Sequence, residues 1–322
     1  SLVAVGLGGL LSSMYLDAKY LFSKDINQIR IFLSTLFNLR SQESQGKAHW
    51  YNIFKDRAKK EPNGLFLMFE GKEYTFRQVE KASNKLAHYL LTQDIKKGDV
   101  VCIMLQNHPT FFITLFAISK IGALPSFVNT NLVDQSLLHC VKIASSKMFI
   151  FDPIYEQQVS AIMDQCPGII FVAYGESTEE YERSPLPFAQ TLTPSALNTF
   201  PDSDTDEALI KGRKLTDPAY LIYTSGTTGL PKPAIVQHIR ILAIVSFSST
   251  LARGGVIVLG RKFSASRFWN DCVEYKVDLF TYIGEFCRYL LSQPPHPEER
   301  NHKVRAIFGN GIRVDVWKPF QE

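Results

Sequence analysis

GDVVCIMLQNHPTFFITLFAISKIGALPSFV, residues 98 to 128, is the stretch that decides the fold. Gly98 and Asp99 turn the chain into the apolar run Val100 to Leu105, which reads as a strand. Pro109 then sits where a first-turn proline is tolerated, ahead of a helix over Thr110 to Ile121. Gly122 ends that helix, and Ala123 to Val128 is a second strand. Strand, helix and strand within about thirty residues is the spacing that a parallel crossover unit requires.

Working outward, the same alternation continues on both sides. Upstream, Leu65 to Phe69 reads as a strand, Glu70-Gly71-Lys72 as a hairpin turn and Glu73 to Thr75 as the returning strand. Thr75-Phe76-Arg77-Gln78 fits the T-x-x-Q capping box, so a helix starts there and carries Val79, Leu86, Leu90 and Leu91 on its apolar face. Downstream come a helix over Gln135 to Ala144, a strand over Met148 to Phe151, a helix over Tyr155 to Cys166 and a strand over Ile169 to Ala173. From Glu176 to Asp217 the composition turns to Ser, Thr, Pro, Asp and Glu, which predicts an acidic surface linker. Its acidic cluster lacks the glycine and terminal glutamate of a calcium loop. Strands follow over Ala219 to Tyr223, Val256 to Leu259, Val277 to Tyr282 and Val304 to Phe308, with helices over Ser266 to Tyr275 and Glu285 to Leu291. The expectation is an α/β chain of two linked subdomains with a cleft between them.

Composition bounds the function. With 322 residues and 45% hydrophobic content, the chain can bury a substantial core. Its net charge of +4 is small and dispersed, so no basic stripe suited to nucleic acid appears. The five cysteines form no CxxC pair and suggest neither a disulfide framework nor a zinc site. Residues 1–46 read as a membrane-associated helical segment. Its apolar run Leu2 to Leu11 is shorter than the roughly 20 residues of a span, and reads as an anchor remnant, an uncleaved signal or a buried helix. Ile26, Ile29, Phe32, Leu33, Leu36 and Phe37 recur at helical spacing within Ile26 to Arg40. That amphipathic helix either packs on the globular part or lies in a membrane interface.

The chemistry is concentrated in Tyr223-Thr224-Ser225-Gly226-Thr227-Thr228-Gly229-Leu230-Pro231-Lys232, directly after an apolar strand. Gly226 and Gly229 permit positive φ, so successive N–H groups can turn inward as an anion nest. Thr224, Ser225, Thr227 and Thr228 add hydroxyl donors, and Lys232 supplies a point charge for outer phosphates. The glycine-to-lysine spacing, with Pro233 after the lysine, is not that of a Walker loop, which disfavours an ordinary P-loop phosphohydrolase.

YTSGTTGLPK resembles the signature of the adenylate-forming superfamily. Further blocks resemble the fatty acid transport proteins, also called very-long-chain acyl-CoA synthetases: Phe127-Val128-Asn129-Thr130-Asn131, Ser136-Leu137-Leu138-His139-Cys140, Phe263-Ser264-Ala265-Ser266, Tyr282-Ile283-Gly284-Glu285, and Gly309-Asn310-Gly311-Ile312-Arg313 with Asp315-Val316-Trp317. The resemblance runs from about Tyr51 to the end. It implies the adenylate-forming N-terminal fold over residues 47–322 and a two-step reaction. A fatty acid carboxylate attacks the α-phosphate of ATP in the presence of Mg2+, and CoA then takes the acyl group. It further implies that Thr224 to Lys232 hold the phosphates, that Tyr282, Ile283, Gly284 and Glu285 border the acyl pocket, and that Gly309, Asn310 and Gly311 lie beside the adenine. Membrane association with the catalytic part facing the cytosol, at the endoplasmic reticulum, plasma membrane or peroxisome, belongs to the same resemblance.

Departures from the family limit what the resemblance implies. A Pro-x-Tyr-His-Ser-like segment is missing between His238 and Phe263. The family's Tyr-x-x-Thr-Glu motif, with its magnesium glutamate, the ribose-binding Asp and the C-terminal lysine have no counterpart. The expectation is therefore a partial chain, with no assignable metal ligand or catalytic residue beyond Thr224 and Lys232 as phosphate stabilisers, and weakly active or inactive. The alternative is a noncatalytic fragment that binds nucleotide or lipid. Glu285 reads more simply as a first-turn residue than as a base, and His139, His238 and His302 as surface or capping histidines.

Overall fold

In the computed structural model, residues 22–181, 186–224, 229–243 and 250–321 are described. The run Leu2 to Leu11 falls outside them. Helix α1 (Phe22–Ser44) contains the expected amphipathic segment. Its last turns dock: Leu39 packs with Ala48 and Leu215, and Glu43 Oε1 accepts the Leu215 N–H at 2.8 Å. Ile26, Ile29, Leu33 and Phe37 remain exposed along one stripe, Phe37 by 74%. No described helix is long and apolar enough to cross a membrane.

Helix α2 (Asn52–Lys60) is not announced by the sequence pattern, because Lys55, Asp56, Arg57, Lys59 and Lys60 crowd round a face as small as Phe54 and Ala58. Strands β1 (Leu65–Phe69) and β2 (Lys72–Thr75) form the expected hairpin, with Glu70 and Gly71 both left-handed as a type I′ turn requires. Helix α3 (Phe76–Thr92) opens with the Thr75–Gln78 capping box in place.

The crossover unit is then built from β3 (Val100–Met104), α4 (Pro109–Lys120) and β4 (Leu124–Phe127). Helix α5 (Asp134–Ile143), β5 (Met148–Phe151), α6 (Glu156–Met163) and β6 (Ile170–Ala173) extend it. Neighbouring strands of this set run parallel, and both faces are covered. Val101, Ile103, Met148, Ile150 and Val172 point to the α3–α4 side, while Cys102, Met104, Phe149, Phe151 and Phe171 point to the α5–α6 side.

The segment 176–217 differs from a surface linker. It adds β7 (Gln190–Thr191) to the sheet beyond β6, forms the short helix α7 (Pro194–Leu197), and buries Leu186, Leu192, Leu197, Ile210 and Leu215. These apolar residues are too sparse for a period to register, yet they join four different apolar clusters of the fold.

A second difference concerns the division into halves. Strand β8 (Pro218–Thr224) lies beside β4, with β9 (Lys232–Gln237) antiparallel at the edge, so the sheet order is β7-β6-β5-β3-β4-β8-β9. The strand expected to open the second half therefore completes the first sheet. After α8 (His238–Ala243), β10 (Ile257–Leu259) returns to pair with β1. Arg261, just past it, forks between Glu70 and Glu176 at 2.5–2.8 Å. The remainder is a small unit with its own core: α9 (Phe268–Glu274), β11 (Leu279–Ile283), α10 (Phe286–Leu291), β12 (Ala306–Asn310) and α11 (Val314–Gln321) around Phe280, Tyr282, Cys287 and Val316.

Candidate functional site

Residues with site potential gather beyond the carboxyl end of β8, where ligands of open α/β sheets bind. Side chains alternate along this strand, so Leu221 and Tyr223 face the α5–α6 layer while Thr224 stays exposed. Thr224 and Lys232 pair across the β8–β9 register, and the Thr224 hydroxyl donates to the Lys232 carbonyl at 3.4 Å. They thus mark the two sides of the loop mouth. Ser225, Gly226, Thr227 and Thr228 lie outside the described residues. Gly229 has a φ of +87°, a conformation that suits glycine. Leu230 and the Lys232 side chain are exposed, and Pro231 is half-buried.

The mouth is fastened from behind. The Tyr223 hydroxyl lies 2.9 Å from Ser126 Oγ and donates to the Cys140 carbonyl at 2.8 Å. Burial holds its pKa well above the ordinary tyrosine value, so it is a protonated hydroxyl at neutral pH. His139 Nε2 lies 3.0 Å from the Pro231 carbonyl. This histidine is neither a cap nor idle at the surface, contrary to expectation, and only its place in the Ser136–Cys140 block marked it in the sequence.

His238 also departs from expectation. It is buried directly after β9, its ring centroid 4.4 Å from that of His49. Its Nδ1 accepts the Trp50 N–H at 3.4 Å, which ties the start of the α/β domain to the end of the loop-bearing hairpin. Burial first, then Arg213, lowers its pKa to about 4, while Asp217 acts the other way. His302 is a local cap, its Nδ1 accepting the Val304 N–H at 3.1 Å.

The residues expected near acyl chain and adenine meet in the small unit. Tyr282 and Ile283 of β11 pair with Gly309 and Asn310 of β12, and the Gly284 N–H donates to the Asn310 carbonyl at 2.8 Å. Gly311, at φ +83°, crosses Gly284 so closely that a Cβ on Gly311 would meet Gly284 Cα at 3.3 Å. Tyr282 is buried, whereas Ile283 is 84% exposed. Glu285 is an N-cap residue of α10 ion-paired with Arg288, which also reaches Asp315 at 3.0 Å. Its carboxylate is engaged structurally, in keeping with the simpler reading. Among the described residues, no hydrogen bond or ion pair joins this set to Thr224 and Lys232. None forms a group of three His, Cys, Asp or Glu able to hold a metal.

Comparison with known proteins places this geometry. The family described as AMP-binding enzyme matches residues 54–249. The human long-chain fatty acid transport protein 6 is 33% identical over 315 residues, which cover 88% of this chain and 50% of that protein. A medium/long-chain-fatty-acid–CoA ligase of Mycobacterium tuberculosis, FadD6, is 32% identical over 85% of this chain and 48% of its own length. The chain thus spans about half the length of the curated relatives it matches. Among solved structures, the anthranilate CoA ligase AuaEII bound to anthranoyl-AMP superposes with a TM-score of 0.69 at 17% identity, covering 84% of this chain and 57% of that one. A Mycobacterium tuberculosis fatty acyl CoA synthetase gives 0.66 at 16% identity, covering 85% and 58%. At these identities the likeness establishes the adenylate-forming α/β fold.

Proposed function

We propose, from the premise that the chain belongs to the AMP-binding enzyme family, that it carries the ATP-phosphate grip of a long-chain or very-long-chain fatty acid CoA ligase. The observation that carries this reading is the hairpin mouth, with Thr224 and Lys232 in register across it at the carboxyl end of a buried sheet. In-line attack of a carboxylate on the α-phosphate brings two anions together, so the residues needed are those that hold and neutralise phosphate. Thr224, Ser225, Thr227 and Thr228 supply hydroxyl donors, Gly226 and Gly229 let backbone N–H groups approach, and Lys232 faces the outer phosphates. Tyr223, Leu230 and Pro231 frame the loop. Tyr282, Ile283, Gly284 and Glu285 border the acyl chain, and Gly309, Asn310 and Gly311 border the adenine. CoA is the acceptor in the second step. Mg2+ would serve the pyrophosphate leaving group, held largely by the phosphates themselves.

A second reading is favoured by the 84% exposure of Ile283, on the strand that would border the acyl chain. On that reading the loop holds nucleotide without acyl transfer. Titration of the purified chain with ATP separates the readings. Binding that weakens roughly tenfold or more in Lys232→Ala, with adenosine unaffected, supports the grip, because a charged hydrogen bond is worth about 1.5–3 kcal/mol. AMP and pyrophosphate released only with fatty acid present support ligase turnover, and ADP release would sink the adenylation reading.

The exposed stripe of α1 supports a further proposal, that this helix lies on a membrane surface with the α/β domain on the cytosolic side.

A further inference from the structure

The two arms of the loop are anchored by neighbouring residues of one helix. On the entering arm, Ser126 Oγ, the Tyr223 hydroxyl and the Cys140 carbonyl form a chain of 2.9 and 2.8 Å. Because the hydroxyl donates to the carbonyl, it accepts from Ser126, so each polar atom of the chain is used. The Cys140 carbonyl also takes the Ala144 N–H at 3.3 Å and thereby spends both lone pairs. On the leaving arm, the Pro231 carbonyl can only accept, so His139 Nε2 is the donor at 3.0 Å. Helix α5 is seated in the core through Leu137, Leu138 and Val141.

We propose that helix α5 fixes where the mouth formed by Thr224 and Lys232 sits, with His139 the positioning residue that holds the lysine arm against it. Pro231 makes this arrangement economical. It has no N–H to pair with a neighbouring strand, and its carbonyl is free to be captured by a side chain. The captured peptide immediately precedes Lys232, so the imidazole fixes where the lysine leaves the backbone. The group served is a polyphosphate, and in this the inference rests on the proposed nucleotide reading. A nucleoside monophosphate, which does not reach the lysine arm, is indifferent to the clamp.

The test uses the purified 322-residue chain with ATP and AMP as probes in calorimetric titrations, together with hydrogen exchange of the amides from Gly229 to Gln237. In His139→Ala, ATP binding is expected to weaken about fivefold to tenfold, the worth of one hydrogen bond, with AMP unchanged and exchange faster over Gly229–Gln237 alone. His139→Gln, which keeps a donor, restores both. Tyr223→Phe, which unfastens the other arm, reproduces the ATP loss. Unchanged exchange in His139→Ala overturns the proposal. So does an equal loss of ATP and AMP binding with faster exchange throughout the chain, the mark of a merely structural residue. If wild type binds no ATP while the exchange responds as expected, the clamp stands and the nucleotide reading falls.

Discussion

Two imidazoles buried side by side make this protein sensitive to acid. His49 is pushed well below its ordinary pKa by burial, then by His238, Arg213 and Lys97, and His238 falls to about 4. Between that value and 6.5 the unfolded chain binds a proton at His238 that the folded chain refuses. The stabilisation is therefore complete above pH 6.5 and is lost as pH falls towards 4, amounting to roughly 3 kcal/mol from His238. Urea unfolding at pH 7.5 and pH 4.5 should show a drop of this order, and His238→Asn should flatten it. A histidine pair 189 positions apart in sequence cannot be recognised from the sequence, where each residue stands alone. The loop residues are the opposite case, since glycines, hydroxyls and lysine in one short string point to an anion site without the fold. Residues such as Ser126 and His139, which act only through that string, disclose nothing by type.

Elements with strong periodicity or distinctive turns were readable to within a residue or two. The β1–β2 hairpin and the capped helix α3 follow from Glu70-Gly71 and from Thr75 with Gln78, because these turns and caps need particular residues. Strand β9 was not readable: it opens on Lys232-Pro233, and a proline is tolerated there only because the strand lies at the sheet edge. The segment 176–217 was misread because its apolar residues are spread singly among acidic ones. Strands β11 and β12 leave no room for a side chain at Gly309, where a Cβ would collide with the backbone and ring of Tyr282. Gly309→Ala should force β11 and β12 apart, at a cost of about 1–3 kcal/mol in a unit with few core residues. Loss of near-ultraviolet dichroism from Trp269 and Trp317, with the main sheet intact, is the expected outcome. Gly71→Asn, at an open left-handed turn, should be silent by the same measurement.

For the whole molecule, the division into a large sheet and a small unit with its own core could not be drawn from composition. The acidic stretch looked like the boundary, whereas the real change of core comes after β10. The exposed stripe of α1 yields a prediction at this scale. Leu33→Asp with Phe37→Asp should abolish sedimentation of the chain with phosphatidylcholine vesicles without changing its thermal midpoint, since neither side chain is packed. Order of synthesis supplies a last consequence. Phe127 of β4 waits for Ile222 of β8, whose codons lie some ninety positions later. At about 5–20 residues per second, the outer edge of β4 emerges from the ribosome about 5 to 20 seconds before its partner. During that interval a naked strand edge is available to any other chain, and the β8–β9 hairpin does not yet exist. The nascent chain therefore needs protection at this edge, as at that of β1, which waits for β10, and the β8–β9 hairpin forms only once the β4 edge can be closed.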